Sequence, residues 1–167
     1  MSKLLYRCGA IMKIANDILI PELERLIREE KEVRFTPSGI SMRPFIEGDR
    51  DSVVMSVLTG NPKKGDILLA RVQNANGKVN YVLHRLICIV NDKKGQTLYV
   101  LQGDGNIEGE EICGREDIIA RVMRIECPNG KRKYLSRGRL WYALRPIRKW
   151  LLKIYRHTWL IWKYENN

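Results

Sequence analysis

Turn-forming residues cut the middle of this chain into short apolar runs, and that punctuation limits the fold more than any other feature. Asn61-Pro62-Lys63-Lys64-Gly65, Asn74-Ala75-Asn76-Gly77, Asn91-Asp92-Lys93-Lys94-Gly95, Gly103-Asp104-Gly105-Asn106 and Pro128-Asn129-Gly130 follow one another along the sequence. Each supplies Gly or Pro together with Asn or Asp. These residues give a positive φ, a fixed φ or a side-chain hydrogen bond to the turn backbone. The runs between them are rich in Val, Ile, Leu and Tyr. They predict strands over 33–36, 52–58, 66–73, 78–90, 97–102 and 118–127, with a further extended piece at 133–135. Short strands joined by tight turns point to a mainly β core, either a coiled β-sheet or a barrel-like one.

The flanks read differently. Residues 4–32 are expected to be helical with a break: Ile11, Ile14 and Ile18 fall at helical spacing, Pro21 interrupts, and Leu23, Leu26 and Ile27 resume. Glu22, Glu24, Glu29, Glu30 and Glu32 would form the wet face of a helical lid packed on the domain. At the other end Leu140, Leu144, Ile147, Leu151 and Ile154 recur in a 4-3-4-3 pattern, one face of a helix, with Pro146 as a kink or a first turn. The chain thus divides into an N-terminal helical segment (1–32), a β domain (33–136) and a C-terminal helix (137–167). A length of 167 residues suits one domain with terminal appendages and suffices for a proper core.

Charge separates the tail from the body. The net charge is +11, and residues 127–167 hold eleven Lys or Arg against one acid, Glu165. All four tryptophans (Trp141, Trp150, Trp159, Trp162) lie there too. A basic amphipathic helix with Trp suits an anionic membrane surface; the alternative is a helix packed on the domain with its charges solvated. Helix-turn-helix, zinc-finger and aromatic ribonucleoprotein patterns are missing, which argues against nucleic acid. Cys8, Cys88, Cys113 and Cys127 show neither metal-ligand spacing nor a disulfide framework, as in a reducing compartment, and Cys88 is expected to be buried. Asp17 and Pro21 spoil the N-terminus as a secretory leader, and no run of about 18 apolar residues predicts a membrane span. These features together suggest a cytoplasmic protein able to meet the inner face of a membrane. Oligomeric state is not legible.

Residues 35–49 form a loop dense in Pro37, Ser38, Gly39, Pro44 and Gly48, with Ser41 at its centre. A serine on a tight turn can present its hydroxyl beside backbone N–H groups aimed at one spot, the arrangement acyl transfer needs. Such a serine requires a base. His157 lies in the basic tail, whereas His84 sits in the apolar run Tyr81-Val82-Leu83-His84-Arg85-Leu86. Lys63, Lys64 and Lys78 lie near turns and read as solvated, and a lysine base must be desolvated.

Five short motifs then occur in order: Ser38-Gly39-Ile40-Ser41-Met42-Arg43-Pro44, Glu47-Gly48-Asp49, Lys64-Gly65-Asp66-Ile67, His84-Arg85 and Gly103-Asp104-Gly105-Asn106. Over roughly residues 33–126 this resembles the serine peptidase superfamily of the type I signal peptidases and the self-cleaving, LexA-like SOS repressors, in its serine–histidine branch. The resemblance implies a signal-peptidase/LexA-type catalytic core with Ser41 as nucleophile and His84 as base, and no cofactor or metal. It implies Asp104 as the acid orienting His84, with Glu110 as the alternative, since the stretch after the Gly-Asp motif reads Ile107-Glu108-Gly109-Glu110-Glu111 where an Asp is usual. The oxyanion hole would use the Ser41 N–H, helped by Ile40 or the Ser38 hydroxyl. The expected activity is cleavage of a leader-like polypeptide after a small residue, with the substrate added to a strand edge. The chain departs from the family in showing neither a membrane anchor nor a DNA-binding domain ahead of the serine. A peptidase-like module that only binds a peptide or anionic surface is one alternative. Self-processing near Cys8-Gly9-Ala10 is another.

Overall fold

The computed structural model describes residues 2–4, 12–14, 16–74, 76–133, 141 and 143–165. Along the chain these form β1 (Ser2–Leu4), β2 (Met12–Ile14), α1 (Asn16–Arg28), β3 (Val33–Thr36), β4 (Ser52–Ser56), β5 (Ile67–Gln73), β6 (Val79–Asn91), β7 (Thr97–Gln102) and β8 (Glu111–Cys113). A 3-10 turn (Arg115–Asp117), β9 (Ile118–Glu126), β10 (Arg132–Lys133) and α2 (Arg145–Glu165) complete it. The described strands make one antiparallel sheet in the order β2-β1-β3-β4-β9-β5-β6-β7-β8, with β10 beside β9. The sheet is open, with β2 and β8 at its two ends. The mainly β expectation holds; closure into a barrel does not occur among these strands.

Turn chemistry builds the sheet as expected. In the β5–β6 hairpin the Asn74 side-chain oxygen accepts the Asn76 and Lys78 N–H groups, and Gly77 takes φ 73°. The Asp92 carboxylate does the same for Lys94 and Gln96 in the next turn. β4 and β5 flank β9 near the middle of the sheet and carry runs of four buried residues instead of an alternation, because both of their faces are covered. One core joins α1 to β3, β4 and β9 through Leu23, Ile27, Phe35, Val53, Met55 and Val122. A second, built on Leu68, Leu86, Tyr99, Leu101 and Cys113, fills the β5–β8 end. Register shifts at Val54/Met55, Leu69/Ala70 and Leu86/Cys88 bend the sheet between them.

Both flanks depart from expectation. Ser2–Leu4 and Met12–Ile14 pair as antiparallel strands, so the helix begins only at Asn16. Pro21 lies inside α1 and does not break it. An interior proline costs about 3 kcal/mol. Burial of Leu19, Ile20, Leu23 and Ile27, each worth about 1.5–3 kcal/mol, offsets that. In α2 the inward stripe is Arg148, Leu151, Leu152 and Tyr155, whereas Ile147 and Ile154 face outward. Cys88 is half-buried rather than buried, beside the β6–β7 irregularity. Leu140, Tyr134, Leu135 and Cys8-Gly9-Ala10, on which other expectations rested, lie outside the described residues. No helix among the described residues is long and apolar enough to cross a membrane.

Candidate active site

The Ser41 loop is fixed mostly through its backbone. It leaves β3 at Thr36, whose hydroxyl pairs with that of Ser52 at 2.9 Å in the interior. The Asp49 N–H then donates to the Pro37 carbonyl at 2.8 Å and closes the loop. Gly39 has φ 97°, a conformation that L side chains avoid. Opposite it, a Cβ on Gly48 would lie 2.0 Å from the Gly39 carbonyl oxygen, so only glycine fits. After Ser41 the chain turns once, with Arg43 N–H on the Ile40 carbonyl and Ile46 N–H on the Met42 carbonyl. That turn drives Met42 and Ile46 into the core and leaves Ser41 half-buried at the surface.

The Gly103-Asp104-Gly105-Asn106 loop supports Ser41 from behind. The Gly105 N–H donates to the Ser41 carbonyl at 2.7 Å. A Cβ on Gly103 would meet that carbonyl oxygen at 2.5 Å, and one on Gly105 would meet the Ile40 carbonyl oxygen at 2.8 Å. Both glycines therefore serve close backbone approach. Trp141 donates its indole N–H to the Asp104 carbonyl at 3.1 Å and stacks edge-on against Phe45 at 5.7 Å. Arg148, buried on α2, bonds Gln102 and the Asn106 carbonyl. The C-terminal helix is thus clamped onto the loop that holds the serine.

His84 is buried on β6, and with Ser41 and Ser38 it lines one cavity of about 140 Å³ whose walls include Phe35, Met42 and Leu69. Its Nδ1 lies 2.8 Å from a carboxylate oxygen of Glu111. Neither Asp104 nor Glu110 occupies that place. Asp104 makes a two-pronged ion pair with Arg85 at 2.8 and 2.6 Å, and both side chains are nearly inaccessible. Glu110 is exposed just before β8. Ile40 is exposed outside the cavity lining, whereas Ser38 and Ser41 are on it. Lys63, Lys64 and Lys78 are exposed in turns, and His157 is exposed on α2.

Glu111 reaches His84 because residues 111–113 form a strand. Register sets Glu111 opposite Leu101, and Leu101 opposite Leu86, two residues along β6 from His84. A long acidic side chain then spans the tip of β7. A carboxylate at Nδ1 fixes the tautomer with the proton on that nitrogen and leaves Nε2 as the base. Cys113, two residues beyond Glu111, is a poor nucleophile, since burial, with Asp117 and Glu116 adding to it, pushes its thiol up to about 12. Among the described residues no group of three or more His, Cys, Asp or Glu is placed to hold a metal ion. Comparison with protein-family models, with curated proteins and with solved structures finds no match for this chain.

Proposed function

We propose that this chain is a serine endopeptidase in which Ser41, His84 and Glu111 form the catalytic set. The observation that carries the reading is the shared cavity: Ser41 and His84 line one hollow, and His84 has a carboxylate on its Nδ1. In the reaction the Ser41 hydroxyl oxygen attacks the peptide carbonyl carbon while His84 Nε2 takes its proton. Glu111 holds the ring and stabilises the imidazolium. The carbonyl oxygen becomes an oxyanion met by the Ser41 N–H, with the Ser38 hydroxyl beside it on the cavity wall. His84 then returns the proton to the departing amine, and water releases the acyl group by the same path in reverse.

The lining of the cavity bears on what it would accept. Some 140 Å³ between Phe35, Met42, Ile46 and Leu69 suits an apolar side chain. The resemblance to signal peptidases and LexA-like repressors adds the preference for a small residue, and the proposed substrate is a leader-like polypeptide cut after one. The test is digestion of a diverse peptide library read by mass spectrometry, with wild type beside Ser41→Ala and His84→Ala. Cuts after small residues are expected from the wild type alone, with both variants folded and lowered by about 10⁴-fold or more. Cleavage by Ser41→Ala at the wild-type rate would sink the reading.

A further inference from the structure

The outer face of α2 is apolar where a helix that merely covers a domain would be polar. Ile147, Trp150 and Ile154 follow each other at three- and four-residue spacing and are 50%, 65% and 42% exposed. Lys149 and Lys153 flank this stripe on one side, both exposed. The only acid in the helix is Glu165, its last residue. The buried side of the same helix is meanwhile held by Arg148 on Gln102, by fully buried Leu152 and by half-buried Tyr155. The apolar stripe therefore faces outward in the folded protein and need not detach to be used.

Single exposed apolar residues are ordinary, but a stripe along one helix marks a contact surface. The charge beside it selects the partner. Six Lys or Arg lie within α2, and the segment 127–167 carries a net +10. Lysine stems flanking an apolar ridge headed by an indole match a bilayer interface, where ring and stems sit at headgroup depth and ammonium groups meet anionic lipid. A protein partner would have to pair the same lysines with acids around an apolar groove. Duplex nucleic acid would have no use for the ridge, since its affinity comes from phosphate contacts.

We propose that the face formed by Ile147, Trp150 and Ile154, with Lys149 and Lys153, docks this protein on anionic lipid bilayers. The helix lies in the interface plane and does not cross. Lys149 also lies 3.6 Å from Glu108, but both are exposed and the pair opens readily beside anionic headgroups. The proposal stands independently of the peptidase reading, because its measurement is binding and not cleavage.

The test is flotation of the purified full chain with vesicles of phosphatidylcholine and phosphatidylglycerol mixed about two to one, against phosphatidylcholine alone. Wild type is expected to float with the mixed vesicles at low salt, to release at high salt, and to stay behind with neutral ones. Lys149→Gln with Lys153→Gln should weaken partitioning about twentyfold. Trp150→Asp with Ile154→Asp should lower it by about a hundredfold or more, with the melting curve unchanged because both sites are exposed. Failure of the wild type to float at low salt would overturn the proposal, as would wild-type binding by the aspartate pair. Retention on duplex DNA that needs the lysines but not Trp150, without flotation, would assign the face to nucleic acid instead. A dimer dissolved by the aspartate pair, again without flotation, would make it a self-association surface.

Discussion

His84 and Arg85 are neighbours on β6, and each meets a carboxylate, yet the two pairs occupy opposite kinds of environment. Arg85 and Asp104 are 3% and 2% exposed, and the guanidinium also donates to the Gly65 carbonyl and lies 5.5 Å from the Phe45 ring centre. His84 is as deeply placed, but its partner Glu111 is 26% exposed and the imidazole borders the cavity. A sealed pair with every polar atom matched is an architectural joint: it fixes where β6 meets the glycine loop behind Ser41. A pair open on one side, at the edge of a cavity, is not needed as a joint in the same way. Alternation along the strand separates the two roles by a single residue.

The largest way to break this contrast is Glu111→Gln. It leaves the geometry but removes the charge that steadies the imidazolium, so kcat/KM should fall by about 10³–10⁴ while the urea midpoint stays put. Asp104→Asn should do the reverse. It strands a buried guanidinium and should lower stability by about 3 kcal/mol, seen in the same urea titration. Activity should return once the variant is assayed well below its melting point. If Asp104→Asn instead abolished cleavage in a protein of full stability, the two pairs would have to exchange roles.

A smaller effect sharpens the picture through pH. Asp51 is fully buried and accepts from Arg50, from Lys133 at 2.6 Å and from the Glu47 N–H at 3.0 Å. Burial alone would raise its carboxyl, but the hydrogen bonds from Arg50, Lys133 and Glu47 outweigh burial and hold it below its ordinary value. A depressed carboxyl stabilises the fold above its unfolded value, and that stability is lost as pH falls through the folded one. The wild-type urea midpoint should therefore drop on acidification below about pH 4. Asp51→Asn should lose about 2 kcal/mol at neutral pH and show a flatter acid limb.

Much of this architecture was legible because turns and buried strands announce themselves locally. Asn74 and Gly77, or Asp92 and Gly95, carry their turn chemistry in their own side chains and backbone. Ser41 was singled out from the loop around it and His84 because histidine is scarce, and the fold sets both on one cavity. Glu111 was not singled out. Three acids crowd residues 108–111, and a three-residue strand has no periodicity to read, so only strand register decides which carboxylate arrives. The C-terminal helix was legible as a helix, but which of its faces packs on the domain was not, since periodicity alone does not say what covers an apolar stripe. Here Gln102 and the Asn106 carbonyl draw Arg148 inward and turn Ile147 and Ile154 out. Pro21 misled in the same way, as tertiary burial outweighed a local breaker.

The serine is held by contacts that involve almost no side chains: Gly39 against Gly48, Gly105 on the Ser41 carbonyl, Gly103 beside it. Next to Ser41 itself, the backbone is thus held by glycines and carbonyls more than by the side chains at the rim. Ile40, more than half exposed beside Ser41, is a rim position whose side chain those contacts do not use. A lineage carrying this loop could drift through many rims while its serine stayed in one place, so long as the glycines stayed glycines.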